Sequence, residues 1–502
     1  MTFPDAKSLE RRGIEVSRVL SRQAKENPQS AAVHLGDRTL TYTQLDRLVG
    51  QCALRLHGMG LARQEICALA FKDQFTLLVT WLGLNRLRVG IVCLPRGEPT
   101  KDTDKLLKDC SIKVIVSDQP YSCAGVETVW ITLDDIENSP LGNLNNIELT
   151  RNRWEHIIVG SGSTGKPKLI AYEFGASMTL VETITWDIEV GEGDRYFSFV
   201  NLQYGSPVLY CLMIFVSGAS IVIPNYSDAD FFLFLERTGV TLIDATVPDA
   251  ELLCRLARKH GRRLGKLKKL NLSSSVITED LVERLREGVT NQTAIEYATN
   301  ECWPVCSTRT ADENRPRGSV GTVYSQAAVE IVDQNGHVLP TNQPGIIRMR
   351  SIGMFSEYIG EPDVTSKRLR DGWFYPGDTG LLNDDGHLIL LGRTDYMMIF
   401  NGINIYPAEI ETVMAGHPAV NDVAALPLKH KIHQDVPICA IQLHPDHPAS
   451  EQELLEFGHT KLGAKSAKLV FVVDAIPRND LGKLIRPEMK KILEEMLKQR
   501  SS

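Results

Sequence analysis

The chain has no long hydrophobic run: its longest apolar stretch, Val208 to Val216, falls far short of the roughly 20 residues that span a bilayer as a helix. The first residues, MTFPDAKSLERRG, contain no apolar signal core, which argues against secretion and membrane insertion and for a cytoplasmic protein. Charge of one sign is also missing: 55 Lys and Arg against 62 Asp and Glu leave a net charge of -7. That balance gives no general attraction to nucleic acid or anionic lipid, so any phosphate binding must be local. The 10 cysteines are scattered, and the closest pair, Cys302 and Cys306, lacks C-x-x-C spacing and neighbouring histidines. Reduced thiols, not a zinc site or a disulfide framework, are expected. Repeats and low-complexity segments are absent too.

What is present is 502 residues with 43% hydrophobic and 23% charged content, too long for one ordinary core and typical of a globular protein with subdomains. From about residue 40 to 300 helical and strand patterns alternate: an apolar helix around Leu77 to Leu87, then short apolar runs at Ala68 to Phe71, Gly90 to Leu94, Val114 to Ser117 and Ser220 to Ile223. Such runs suit strands buried on both faces, and the alternation predicts α/β layers with mainly parallel strands. From Gly318 to Leu391 short strands and turns (QNGH, DDGH) predict a β-rich subdomain. Beyond Asp395 the pattern is compact α+β: a helix ending near Gly416, strands at Val420 to Leu426 and Val436 to Leu443, a helix from Glu451, a strand at Leu469 to Val473, and a last helix with Ile485, Met489, Ile492 and Met496 on one face. The expected division is 1–394 and 395–502.

The segment GSGSTGKPK, Gly160 to Lys168, fits three phosphate-binding patterns at once. As G-x-G-x-x-G it needs a helix opening within the glycines, which Pro167 opposes. As G-x-x-x-x-G-K it needs a hydroxyl residue where Pro167 stands. A flexible hydroxyl and glycine loop closed by Lys168 can wrap a triphosphate without either requirement, and an ordinary Gly/Ser linker is the plain alternative.

VGSGSTGKPK resembles the phosphate loop of the AMP-forming, acid-activating superfamily, which includes acyl-CoA synthetases, peptide-synthetase adenylation domains and firefly-type luciferases. Further motifs of that family follow in order: YATNE (Tyr297 to Glu301), GWFYPGD (Gly372 to Asp378), GRTD (Gly392 to Asp395), NGINIYPAEIE (Asn401 to Glu411) and IPRNDLGK (Ile476 to Lys483). LTYTQLDRLVGQCALRLHGMG is similar to the family's opening strand and first long helix. The resemblance implies a large N-terminal domain carrying a small, mobile C-terminal one.

It also implies an activity, conversion of a carboxylic acid with ATP and Mg2+ to acyl-AMP and pyrophosphate, followed by transfer to a thiol. Ser161, Gly162, Ser163, Thr164, Gly165 and Lys168 would hold phosphates, with Tyr297 and Asn300 beside the nucleotide. Glu301 would bind magnesium, as an oxygen ligand suited to a hard ion. Asp378 would accept the ribose hydroxyls, Arg393 would contact the ribose, and Asp395 would be the hinge. Lys483 would bridge carboxylate and α-phosphate in the first half-reaction, a task for a flexible ammonium. The chain departs from the family pattern at Asn300, Pro376, Gly160 and Leu169. Ile399 stands where many members have a lysine used in the second conformation, which leaves the details of the second half-reaction open.

By the same resemblance the acid pocket draws on FVNLQYGSP, TLIDATVPD, SSSV and YATN, with Gln203, Tyr204, Asp244, Val247, Ser273, Ser274 and Ser275 as candidate lining residues. The first segment lacks the aspartate that pairs with an α-ammonium in amino-acid-activating members, so an α-amino acid is disfavoured, while Asp244 could meet a more distant amine. Ser274 and Ser275 replace paired glycines and add bulk, pointing to a medium-sized acyl or aryl acid. CoA is the first acceptor, a carrier protein's phosphopantetheine the second and an amine the third. A non-catalytic acyl-AMP or nucleotide-binding protein is the alternative of another class; retention of Lys168, Glu301, Asp378, Arg393 and Lys483 argues against it.

Overall fold

The structure, a computed structural model, describes residues 16–94, 99–142, 144, 147, 149, 152–160, 168–184, 188, 190–204, 206–224, 230–275, 277–308, 315–430, 432–479 and 482–501. Three sheets organise them. In the largest, the strands Ala31–Leu35, Ser220–Ile223, Arg195–Ser198, Leu242–Ala245, Lys269–Leu272 and Thr293–Thr299 run parallel. The same sheet continues antiparallel through Trp303–Ser307, Ser319–Val323, His387–Arg393, Asp378–Leu382 and Gly345–Ser351. The β-rich subdomain is therefore an extension of the α/β sheet.

A seven-stranded sheet contains Ile66–Ala70, Gly90–Cys93, Val114–Ser117 and Trp154–Gly160. The strand Val114–Ser117 is buried at every position, as its uninterrupted apolar run predicts. The helix Gln74–Arg86 beside it is buried on nearly all sides. It opens on Asp73, whose carboxylate accepts from the Thr76 amide at 2.7 Å. Helix Tyr42–Gly58 carries a reciprocal cap between Thr41 and Gln44, and its buried Leu45, Leu48, Val49, Cys52 and Leu56 repeat at three- and four-residue spacing.

The C-terminal residues build a five-stranded sheet in which Met398–Phe400 and Ile403–Ile405 form a hairpin. Its turn is Asn401 and Gly402, with φ of 51° and 79°, the left-handed pair that a two-residue hairpin requires. The strands Val420–His430 and Gln434–Leu443 are longer than their apolar patterns. Pro427 and Pro437, which interrupt those patterns, lie opposite each other in register. Neither proline can donate to the ladder, and pairing them places the two missing donors together. All 10 cysteines are free, and all but Cys93 are fully buried. Among the described residues no helix is long and apolar enough to cross a membrane.

Candidate active site

The loop between Gly160 and Lys168 joins two antiparallel strands, Trp154–Gly160 and Lys168–Glu173, with Gly160 and Lys168 paired across the ladder. Lys168 opens a strand, so no helix continues beyond Pro167 as both competing glycine patterns require, and those two readings fall. Ser161, Gly162, Ser163, Thr164 and Gly165 lie outside the described residues. At Gly160 a Cβ would stand 2.7 Å from Ile170 Cδ1, the far end of that side chain.

Lys168 opens its strand beside Tyr358, with its ammonium 5.1 Å from the centre of that ring. The Tyr358 hydroxyl donates to Glu301 Oε1 at 2.7 Å. Lys168, Tyr358 and Glu301 thus form one cluster from three separate segments. Burial pushes the Glu301 carboxyl up, opposed by the Tyr358 hydrogen bond and by Lys168 and Arg368. Burial also lowers the Lys168 ammonium, helped by Arg368 and opposed by Glu301. Trp303 holds the turn after Glu301 at φ 60°, an uncommon conformation for a bulky residue. Its ring packs 5.1 Å from Tyr172, which stacks on His156 at 4.7 Å. The Tyr172 hydroxyl donates to the Asn300 carbonyl at 2.5 Å, so the residue at this departure from the family pattern is tied down through its backbone.

Across the cleft Asp378 and Arg393 face each other in the ladder. Arg393 Nη1 donates to Asp378 Oδ1 at 3.1 Å and to the Pro376 carbonyl at 2.6 Å. Tyr297 donates to Asp378 Oδ2 at 2.5 Å. Arg393 Nη2 reaches Asp395 Oδ2 at 3.3 Å, and Arg368 stands 4.0 Å from the same atom. Gly377 makes room for both guanidinium groups, since a Cβ would meet Arg368 Nη1 at 2.4 Å and Arg393 Nη2 at 2.9 Å.

Lys483 arrives from the C-terminal part. Its loop is fixed by Asn479, whose side chain accepts from the Lys483 amide at 2.9 Å, and by Arg478, which donates to the Gly482 carbonyl at 2.9 Å and pairs with Asp422. Gly482, at φ 73°, presses on Pro248: a Cβ would lie 2.7 Å from Pro248 Cδ. Pro248 is itself held by the first turn of Val247–His260, where Asp249 accepts from the Thr246 amide and hydroxyl. The Lys483 side chain keeps contact with water, yet the crowding walls push its ammonium below the ordinary lysine range. Glu301 and Asp378 pull it back up and Arg393 lowers it, so Lys483 shares one electrostatic neighbourhood with all three.

The candidate acid-pocket residues divide. Asp244 is partly buried and accepts from Tyr196 at 2.6 Å and Asn271 at 2.9 Å. Burial and nearby Glu296 push its carboxyl up to about 6. Because that value exceeds the ordinary aspartate range, the charged form weakens the fold, and the cost appears as pH rises through about 6. Asp244→Asn should therefore gain stability relative to the parent between pH 4 and 8, by up to about 3 kcal/mol. Denaturant titrations at the two pH values check this, and a gap that does not change with pH contradicts it.

Gln203 lies in a short turn, Leu202–Tyr204. With His156 and Trp81 it lines an internal cavity of ≈ 10 Å³. Gln203 Nε2 and His156 Nε2 both lack protein partners there, and the volume suits one bridging water. Burial lowers His156 to about 3, so its ring is neutral. Tyr204 and Val247 are half-buried, and Ser273 donates its amide to the Ala245 carbonyl at 3.3 Å. Ser274 is exposed and sits at φ 82°, so the backbone keeps a glycine conformation although the residue is serine. Ser274→Gly should stabilise the chain by about 1 kcal/mol, read as a higher unfolding midpoint; an unchanged midpoint contradicts the strain.

The sequence reading missed Tyr358, Arg368 and Glu296. Tyr358 and Arg368 stand outside every motif, and only the tertiary structure brings them to Glu301 and Asp395. Glu296 directly precedes Tyr297 within a strand, and the two-residue period sends the two side chains to opposite faces of the sheet.

Residues 20–359 match the family described as AMP-binding enzyme, and residues 409–483 match the AMP-binding enzyme C-terminal domain. The 2-succinylbenzoate–CoA ligase of Bacillus licheniformis is 26% identical over 477 residues, covering 94% of this chain and 98% of that protein. The indoleacetate–CoA ligase of Aromatoleum aromaticum is 24% identical over 503 residues, covering 96% and 98%. Among solved structures, O-succinylbenzoate CoA synthetase from Bacillus subtilis in complex with AMP superposes with a TM-score of 0.82 at 24% identity, covering 94% of this chain and 98% of that one. ATP-bound MatB from Rhodopseudomonas palustris superposes with a TM-score of 0.85 at 19% identity, covering 96% and 100%.

Proposed function

The chain belongs to the AMP-binding enzyme family, and from that premise we propose that it activates a carboxylic acid with ATP and passes the acyl group to the thiol of CoA. The observation that carries this reading is the arrival of Lys483, from the C-terminal part, in the electrostatic neighbourhood of Glu301, Asp378 and Arg393. The names of the relatives, ligases of 2-succinylbenzoate and indoleacetate with CoA, support a medium-sized aryl or acyl acid. A carrier protein's phosphopantetheine offers the same nucleophile and is the second acceptor to test.

In the first half-reaction a carboxylate oxygen attacks the α-phosphorus of ATP and the bond to pyrophosphate breaks. Two anions must approach, so the site has to supply positive charge where repulsion peaks. Lys483 meets that need between carboxylate and α-phosphate, and Lys168 neutralises the outer phosphates. Asp378 holds the ribose hydroxyls on the lone pairs that Tyr297 and Arg393 leave free. Glu301 would supply a carboxylate oxygen to magnesium, an oxygen ligand suited to a hard ion. When bound, that ion neutralises charge on the phosphates and the pyrophosphate leaving group.

In the second half-reaction the thiol sulfur attacks the acyl carbon, AMP departs with the bonding pair, and the thiol proton is released. We assign the division of the chain to 394/395, with Asp395 as the hinge about which a mobile C-terminal domain turns between the two steps. In support, His387–Arg393 belongs to the large sheet and Met398–Phe400 to the small one. A panel of aryl, short, medium and long acids, each with ATP, magnesium and CoA, tests the reading by mass detection of acyl-CoA. Formation of an acyl-CoA from one acid class supports it. Acid-dependent pyrophosphate release without thioester moves the acceptor to a carrier protein or amine, and no release from any acid rejects it.

A further inference from the structure

Two carboxylates, Glu296 buried and Asp244 partly buried, act on each other, and among the described residues neither forms an ion pair. Asp244 takes a hydroxyl hydrogen bond from Tyr196 and an amide hydrogen bond from Asn271. Glu296, only 5% exposed, takes hydroxyl hydrogen bonds from Tyr210 and, at 3.1 Å, from Tyr324. The rings of Tyr196 and Tyr210 stack with centres 5.9 Å apart, which binds the two halves into one cluster. Every hydrogen-bond donor is neutral, and Lys269, the cation that acts on Asp244, only partly offsets burial and Glu296.

A second observation points outward from these carboxylates. Asn271 is 4% exposed, and its Oδ1 has no donor. The amide cannot be turned to cure this, because its Nδ2 already donates to Asp244, and the flipped form would set two acceptors against each other. An orphaned buried acceptor costs about 1–3 kcal/mol, and here it lies beside buried negative charge. A ligand bearing donors and positive charge satisfies both. Asp244 and Asn271 pair with each other across neighbouring parallel strands, near the carboxyl ends that run on to Val247 and Ser273. Ligands of α/β sheets bind outside those ends.

We propose that the acid activated in this cleft carries a protonated aliphatic amine remote from its carboxylate, held by Asp244 and Asn271 Oδ1 with Glu296 behind them. The proposal rests on the acid-activation reading and sharpens it. An amine-free acid would leave Asn271 Oδ1 unpaired and the carboxylates without a cation in contact, the situation in which a polar site rejects an analogue most strongly.

Matched pairs of acids test it: 6-aminohexanoate against heptanoate, and 4-(aminomethyl)benzoate against 4-ethylbenzoate, each followed by pyrophosphate release from ATP and magnesium. The expected kcat/KM is about a hundredfold higher for the amine in at least one pair. Asp244→Asn and, separately, Glu296→Gln should each shrink that ratio by about tenfold or more. Release without preference for the amine in either pair overturns the proposal and leaves acid activation standing, as does an amine preference that both variants retain. Release from none of the four acids, with release from another acid of the wider panel, overturns the proposal and leaves acid activation standing.

Discussion

Replacing Lys483 with alanine should lower acid-dependent pyrophosphate release by about 10²–10³-fold, the cost of removing one preorganised charge from a transition state. The ammonium reaches the cleft from another part of the chain, so its loss leaves the residues proposed to hold the nucleotide in place. Nucleotide affinity should therefore change little while kcat falls, which marks an interaction made in the transition state and not in the ground state. Starting from chemically prepared acyl-AMP, thioester formation by the same variant should keep most of its rate. An equal loss in both half-reactions would contradict the assignment of Lys483 to the first.

Gly482→Ala should slow the first half-reaction about ten- to a hundredfold, although the residue has no functional group. Two costs act on the same contact. Gly482 holds φ 73° and its missing Cβ leaves the space that Pro248 Cδ approaches to 2.7 Å. A left-handed conformation costs a non-glycine residue roughly 1–2 kcal/mol, and the clash falls on a proline in a capped helical turn that cannot yield easily. Both penalties weaken the arrangement that seats Lys483, and about 1.4 kcal/mol of such weakening is a tenfold loss of the competent population. Global unfolding should shift far less than activity, because the contact joins two separately packed cores. A variant with wild-type adenylation would show that the Gly482 and Pro248 contact does not govern docking.

The parts of the site legible in the sequence are those held in short contiguous motifs. Tyr297, Asp378, Arg393 and Asp395 are each identified by their neighbours in the chain, and the structure links all four by hydrogen bonds. Glu301, Lys168 and Lys483 come to the same cleft. Tyr358 and Arg368 were illegible because their roles arise from contacts across 57 residues to Glu301 and 27 to Asp395, and no local pattern encodes such separations. The acid pocket shows the same limit: the sequence names Gln203 and Asp244 as lining residues but not their neighbours, which are His156 across a small cavity for Gln203, and Tyr196 and Asn271 for Asp244. In the fold, the buried strands follow their apolar runs closely. The strands around Pro427 and Pro437 exceed theirs, because paired prolines are tolerated in a register that sequence periodicity does not reveal.

The most direct test of the central claim uses a carboxylic acid labelled with oxygen-18 in both carboxylate oxygens, incubated with the protein, ATP, magnesium and CoA. Attack of the carboxylate on the α-phosphorus followed by thiol attack on the acyl carbon leaves one labelled oxygen in AMP and none in pyrophosphate. Label in AMP, together with an acyl-CoA that retains the other oxygen, is the predicted result. Label in orthophosphate with ADP as the nucleotide product would place the attack on the γ-phosphorus and contradict the account.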